Sequence, residues 1–360
     1  MDFLMLTAIY VLLFGLSVAF YLYKDHRILC TGPVGLLREI ITQAFYRVVP
    51  SVIIHWSKSM GHYILFKRNP LFQLVFVVLV LLGHGVFIYD MLPILEIFET
   101  EKNHTFLPLL VLFTNGLMFH WSCIADPGEI TQKNHQRYSS VYEYDGNLYQ
   151  HSVICPTCKF QKPARSKHCS VCNRCVHRFD HHCVWTNNCV GGLNHRFFLL
   201  YLMTLTLMFA QGVYVGSHCL VLYIKHFNLW KASYVDHDGI VRPVTLFIVF
   251  QHLFLQVPRL VFLVVSLVLL TFLVGGFAVY QFYLVCTNHT TNETYKIKEL
   301  KNRHLQVPSN GTDNKATVSP KKQTKSSAKN MLKPYQRSAV ENLYEVFVPY
   351  SFIKWKNKEN

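Results

Sequence analysis

The stretch CPTCKFQKPARSKHCSVCNRCVHRFDHHCVWTNNC, from Cys155 to Cys189, decides how this chain folds. It holds seven of the eleven cysteines; Cys30, Cys123, Cys219 and Cys286 are scattered elsewhere. Cys155-x2-Cys158 is followed by His168-Cys169-x2-Cys172-x2-Cys175, then Asp180-His181-His182-Cys183, then Cys189. Repeated Cys-x2-Cys spacing beside histidines is zinc-ligand spacing, since soft thiolates and imidazoles suit a tetrahedral ion. Clustered cysteines also build disulfide frameworks, which need an oxidising compartment. The side of the membrane on which the cluster lies therefore separates the two readings.

A membrane is implied by the composition. Of 360 residues, 51% are hydrophobic and 15% charged, against roughly 25% charged in soluble domains. The formal charge of +15 would suggest nucleic acid in a soluble chain. In a membrane protein it reads as basic cytosolic loops, so no nucleic-acid partner is expected. A crossing helix needs about 20 apolar residues. Five stretches qualify: Phe3–Tyr23, Leu71–Tyr89, Phe106–Ile124, Phe197–Ile224 and Leu260–Cys286. Val244–Val257 is short and is cut by Pro258. It reads as an interfacial or re-entrant segment, with a sixth crossing as the alternative. The first stretch has Asp2 in place of a basic n-region and no small-residue cleavage site, so it reads as an anchor rather than a signal peptide.

Loop charge gives one topology. The segments around Arg38–Arg68, Asp126–Arg196 and beyond Thr287 are basic and read as cytosolic. The turn holding Glu96, Glu99 and Glu101, the segment His226–Val241 and the N-terminus read as lumenal. The cysteine cluster then lies in a reducing compartment, which favours metal over disulfides. Leu36–Trp56 carries apolar residues at near-helical spacing, which predicts a helix on the membrane surface or packed against the other cytosolic parts. Val307–Lys333 has the composition of a disordered basic linker. The expected fold is thus an all-α transmembrane bundle with a cytosolic zinc-stabilised domain of hairpins and loops. The segments run 1–23 (first span), 24–69 (cytosolic), 70–125 (second and third spans), 126–196 (zinc domain), 197–286 (fourth and fifth spans) and 287–360 (cytosolic tail).

Ligand arithmetic leaves one thiol over. Two Cys3His sites need six cysteines and two histidines, and the window offers seven cysteines. The spare is either a buried inert thiol or a nucleophile. Asp180, His181 and Cys183 supply an orienter, a base and a nucleophile within four residues. A zinc module that only binds partners, and a thiol oxidoreductase, are the rival readings. The first predicts a lost catalytic residue; the second needs a redox partner for Cys183 that is not committed to metal.

The run HCSVCNRCVHRFDHHCVWTNNCVGGLNHRFF resembles the cysteine-rich domain of the DHHC protein S-acyltransferases (palmitoyltransferases). Asp126-Pro127-Gly128 resembles that family's DPG motif, and Thr290-Thr291-Asn292-Glu293 its TTxE motif. Asn342 followed by Val346-Phe347 is similar to the core of its C-terminal motif. Val184 stands where the family often has proline and Thr186 where an aliphatic is usual; Leu343 and Val348 replace the common Trp and Gly of the tail motif.

The resemblance implies two zinc ions, one on Cys155, Cys158, His168 and Cys175, the other on Cys169, Cys172, His182 and Cys189, in a unit with very little apolar core. It leaves His177 without a ligand role, hence a surface residue. It implies that Asp180 orients His181, that His181 takes the proton of Cys183, and that the thiolate accepts a fatty acyl group from acyl-CoA and passes it to a cysteine of a substrate protein. Trp185 and Phe198 are candidates for the acyl cavity. Thr291 is expected to hold Asp180, and Asn342 to pin the tail to the last span. The C-terminal Lys356 and Lys358 are spaced like a dilysine retrieval signal, which predicts the endoplasmic reticulum and Golgi.

Overall fold

The computed structural model describes residues 32–99, 104–235, 238–305 and 335–349. The expected first span, the 307–333 linker and the lysines at 356 and 358 lie outside the described residues.

The expected surface helix is two helices, α1 (Gly32–Val48) and α2 (Ser51–Phe66). The break falls at Pro50, which cannot donate to the preceding turn. Leu36, Leu37, Ile40, Ile41, Val52 and Trp56 stand exposed along them, as an apolar face toward lipid would.

Four described helices are long and apolar enough to cross a bilayer: α3 (Leu71–Phe98), α4 (Phe106–Ile124), α6 (His195–His226) and α8 (Pro258–Cys286). α3 runs past the expected end at Tyr89 because a π-turn over Phe87–Met91 carries the helix through Pro93. Widening the turn accommodates the carbonyl that the proline ring displaces and leaves unpaired. α6 is the central helix and packs along α4 and α8. A Cβ on Gly212 would meet Leu267 Cδ1 at 2.7 Å and one on Gly216 Val264 Cγ2 at 2.5 Å. This small-x3-small pair therefore sets how closely α6 and α8 approach, as in other membrane bundles. Asn115 of α4 donates to Thr204 Oγ1 of α6 at 3.1 Å, a polar tie inside the bundle. Beyond α6, the hairpin β6 (Ser233–Val235) with β7 (Val241–Pro243) leads into α7 (Leu246–Gln256). At eleven residues, α7 is too short to cross, and Pro258 starts α8 immediately after it.

Between α4 and α6 lies a small domain of short strands. β1 (Glu129–Ile130), β3 (Arg174–Val176) and β2 (Lys167–Cys169) form one antiparallel sheet in that order. β4 (His181–Cys183) and β5 (Asn188–Val190) form a hairpin, and α5 (His135–Ser139) is a single turn. This domain has more core than its cysteine content implies. Ile130, Tyr138, Val141, Tyr142, Tyr149, Phe160 and Leu193 form a buried cluster. His177 is likewise not a surface residue. It is buried, with Tyr138 and Tyr142 against its ring at 4.5 and 5.4 Å. Burial pushes its pKa down to about 3, so the ring packs as a neutral aromatic.

Two helices lie in the described part of the tail. α9 (Thr291–Leu305) follows α8 after a short turn. α10 (Ala339–Phe347) starts with a Ser338/Glu341 capping box. It seats Val346 against Leu199 of α6 and Val285 of α8.

Candidate active site and metal centres

Hairpin register assembles the metal ligands. In β2–β3, His168 faces Cys175; in β4–β5, His182 faces Cys189. Each cross-strand pair therefore points to one side of its hairpin. A Cys-x2-Cys turn closes each set. The N–H of Cys158 donates to Cys155 Sγ (3.4 Å) and that of Cys172 to Cys169 Sγ (3.5 Å). Lys159 and Asn173, the residues after these turns, adopt left-handed φ of 60° and 52°.

Cys155, Cys158, His168 and Cys175 form one cluster, and Cys169, Cys172, His182 and Cys189 the other, with ligand atoms within 4.8 Å of one another. Sγ to His168 Nδ1 distances are 3.6, 3.4 and 3.8 Å. Cys172 and Cys189 Sγ lie 3.3 and 3.7 Å from His182 Nδ1 and 3.5 Å from each other. A tetrahedron with Zn–S near 2.3 Å and Zn–N near 2.05 Å has edges of about 3.6 to 3.8 Å. Both clusters thus fit a structural zinc ion.

Cys183 belongs to neither set. Side chains alternate along a strand, so in β4 His181 and Cys183 share one face while His182 turns to the metal. His181 Nδ1 is 2.6 Å from Asp180 Oδ2, which leaves Nε2 as the ring nitrogen available to Cys183. The two groups act on each other's charge.

Asp180 is buried and lies at the N-terminus of α9. The Thr291 N–H donates to its Oδ1 (2.6 Å) and the Thr291 hydroxyl to its Oδ2 (2.9 Å). Burial disfavours the carboxylate, but these donors and His181 hold it well below the usual carboxylate range. Burial also opposes charge on His181, yet its hydrogen bond to Asp180 and the neighbouring Cys183 raise it to about 10. The same partner lowers the Cys183 thiol against its burial. A thiolate–imidazolium pair backed by a carboxylate is an activated nucleophile.

On its other side Cys183 meets the bundle. It clusters with Val111, Val190, Phe198, Tyr201, Leu202, Leu205 and Met208. Phe198 is buried and meets the His181 ring edge-on at 5.1 Å. Trp185 is outside that cluster. It is half exposed and packs on Phe72 of α3 at 5.3 Å.

The remaining motif residues bind the parts together. Asp126 Oδ1 accepts from the N–H groups of Gly128 and Glu129, both at 2.9 Å. Pro127 O accepts from Leu193 N. Gly128 has φ of 95°, a left-handed position pressed against His177 and Leu193. Thr290 and Glu293 form a reciprocal capping box on α9: Thr290 N donates to Glu293 Oε2 (2.9 Å) and Glu293 N to Thr290 Oγ1 (3.2 Å). Asn342 Nδ2 donates to Cys286 O, a carbonyl left free at the end of α8, at 2.8 Å.

Sequence reasoning missed a buried ionic network behind these motifs. Arg165 grips both oxygens of Glu293 (2.8 and 2.9 Å) and both oxygens of Asn288, side chain and backbone (2.8 and 2.9 Å). Its guanidinium also lies over the Tyr142 and Tyr335 rings, at 4.9 and 4.7 Å from their centroids. Arg178 pairs with Glu345 of α10 (Nε–Oε1 2.9 Å). Asn288 Nδ2 donates to Glu345 Oε2 at 3.1 Å. The network joins the zinc domain, the end of α8 and the tail helix.

Comparison with known proteins matches residues 149–298 to the family model described as DHHC palmitoyltransferase. The chain is 40% identical over 300 residues to palmitoyltransferase ZDHHC4 of Bos taurus, covering 82% of this chain and 85% of that relative. It is 37% identical over 254 residues to ZDHHC4 of Mus musculus, covering 71% and 74%. Palmitoyltransferase swf1 of Schizosaccharomyces pombe is 32% identical over 265 residues, covering 69% and 67%.

Proposed function

This chain belongs to the DHHC palmitoyltransferase family and is an integral membrane protein S-palmitoyltransferase, and we propose that it works through an acyl-enzyme on Cys183. One observation carries that proposal. Cys183 is the single cysteine of the cluster outside both metal sets, and it lies between the His181–Asp180 pair and the apolar side chains of the bundle.

In this reading palmitoyl-CoA lays its chain among the spanning helices, against Phe198, with Trp185 at the rim and the CoA moiety in water. The Cys183 thiolate attacks the thioester carbonyl, a new thioester bond forms, and the CoA thiolate leaves and takes the proton held by His181. A substrate cysteine then gives its proton to His181 and attacks the acyl-enzyme, which regenerates Cys183. Asp180 holds His181 in one tautomer and stabilises its cationic form throughout. Bound zinc would brace the hairpins that carry these residues.

The positive-inside pattern supports a cytosolic zinc domain and C-terminus and a lumenal N-terminus. Substrates would then be membrane-associated proteins with cytosolic juxtamembrane cysteines. The spacing of Lys356 and Lys358 supports residence in the endoplasmic reticulum with cycling to the Golgi. The test of the central step is incubation of the purified chain with labelled palmitoyl-CoA. Wild type should gain a hydroxylamine-labile label and Cys183→Ser none; a labile label on Cys183→Ser would exclude this nucleophile.

A further inference from the structure

We propose that Gln73, in the first turn of α3, is a positioning residue that latches the catalytic hairpin to that helix and keeps water from the acyl-enzyme; this rests on reading Cys183 as the acylated nucleophile. Gln73 is the one polar residue within 71–82. An amide beside hydrocarbon is costly unless its hydrogen bonds are satisfied. Over the same residues only Phe72, Gln73, Phe76 and Val80 are not exposed, a spacing that places them on one helical face.

That face is a wall of the space beside Cys183. Phe76 meets Phe119 of α4 at 4.6 Å and Tyr201 of α6 at 5.8 Å. Phe76 and Val80 pack against the cluster that contains Cys183. One turn nearer the zinc domain, Phe72 meets Trp185 edge-on, and Gln73 Nε2 lies 3.1 Å from Thr186 O. A carbonyl only accepts, so the amide NH2 must face it, which fixes how the glutamine is turned. Trp185 and Thr186 belong to the turn that joins β4 to β5. This turn lies outside the paired strands, so the ladder does not engage the Thr186 carbonyl; Gln73 does.

The hairpin is anchored unequally on its two sides. Toward α4, buried Asn188 donates to Ser122 O (3.2 Å) and Ala125 O (2.9 Å), at the end of that helix. Its Oδ1 accepts from Cys189 N at 2.9 Å. Asn188 opens β5, so this side is fixed to the strand itself. Toward α3, the hold is the Gln73 bond and the Phe72–Trp185 contact. Loss of the bond would therefore open the chamber along α3. A thioester on Cys183 is hydrolysed when water reaches its carbonyl: water adds, the carbon–sulfur bond breaks, palmitate leaves and the Cys183 thiol is restored. Transfer to a protein requires the acyl-enzyme to outlast the wait for its substrate, and the Gln73 latch protects it during that wait.

The experiment uses purified full-length protein acylated with labelled palmitoyl-CoA and freed of excess donor. Release of palmitate is followed without an acceptor protein, and zinc content and melting temperature are measured on each variant. Gln73→Met keeps the length of the side chain and removes the donor. We expect its acyl-enzyme to hydrolyse about threefold to tenfold faster, the worth of one hydrogen bond, with zinc retained and the rate of Cys183 acylation changed less than hydrolysis. Gln73→Glu tests the donor directly. An ionised carboxylate cannot donate to the Thr186 carbonyl, whereas the protonated acid can. Its hydrolysis, relative to wild type at the same pH, should be raised at high pH and return toward wild type as the introduced carboxyl protonates. A wild-type hydrolysis rate for Gln73→Met, or a ratio for Gln73→Glu that does not move with pH, overturns the inference. If Gln73→Met loses zinc or fails to fold, the pH profile of Gln73→Glu decides. If neither variant folds, the bond is structural and the inference is likewise overturned. A hydroxylamine-labile label on Cys183→Ser would instead remove the nucleophile on which the inference rests.

Discussion

Alanine substitutions at the adjacent residues His181 and His182 should have opposite consequences, because β4 points the two side chains to opposite faces. His182 Nδ1 lies among Cys169, Cys172 and Cys189. Its loss removes one of four proposed zinc ligands. A structural zinc site contributes on the order of 10–16 kcal/mol, which is as large as the whole stability of a domain, about 5–15 kcal/mol. His182→Ala should therefore lose zinc from that site and become protease-sensitive. His181 touches no metal cluster. Its removal takes one of three donors from Asp180 and leaves the Thr291 N–H and hydroxyl in place. One hydrogen bond to a charged group is worth about 1.5–3 kcal/mol, less than the domain can lose before unfolding. His181→Ala should thus fold and hold two zinc ions, but acylate Cys183 about 10²- to 10⁴-fold more slowly, the span of general acid–base effects. The assay pairs zinc content by elemental analysis with the hydroxylamine-labile label on each variant. Zinc lost from His181→Ala and kept in His182→Ala would show the roles reversed.

Three further outcomes are expected. Elemental analysis of active protein should give two zinc ions per chain, and a chelator should make the 126–196 region protease-sensitive; one ion per active chain would contradict the two-site geometry. Arg165→Met should destabilise the fold by about 3–5 kcal/mol, because it strands Glu293 in a buried site without its cation; an unchanged melting temperature would refute this. Lys356→Ser combined with Lys358→Ser should shift the protein out of the endoplasmic reticulum, and an unchanged distribution would end the retrieval reading.

Local pattern carried the sequence reading as far as local pattern reaches. Apolar runs located α3, α4, α6 and α8, since about 20 apolar residues in a row serve little else. They misplaced the end of α3, because composition cannot show that a π-turn lets a helix continue through Pro93. The surface segment was legible as helical but not as two helices, although Pro50 was there to be read as a break. The metal clusters were legible as Cys-x2-Cys spacing; the division of ligands between them needed the family resemblance, because the sets interleave. His177 was misread because a histidine without a ligand role was assigned to the surface, and only the Tyr138 and Tyr142 rings against it show otherwise. Arg165 and Glu293 lie 128 residues apart in sequence. Nothing local to either distinguishes a buried ion pair from two surface charges, so the network was invisible before the fold. The TTxE-like run was legible as a family motif, but not that its glutamate would cap α9 and also grip an arginine.

The use of metal in this small domain follows from what its strands must do. β2, β3, β4 and β5 are each three residues long, too short to be stable by pairing alone. A strand normally gains stability by burying one face in an apolar core. In β4 that face carries His181 and Cys183, and Cys183 is turned toward the side chains of the spanning helices, where an acyl chain would have to lie. Apolar residues packed there to hold the strand would fill the space the substrate needs. His182 faces the other way, and a metal bond at that position can fix the strand without using the catalytic face. The capping box of α9 works in the same manner on Asp180. Its glutamate, Glu293, is tied to Arg165 in the zinc domain, so Thr291 reaches Asp180 from a helix whose start is fixed to that domain. On the proposed roles, nucleophile, base and orienter would thus be held by zinc, cap and ion pair, and the apolar surface beside Cys183 would remain available for lipid.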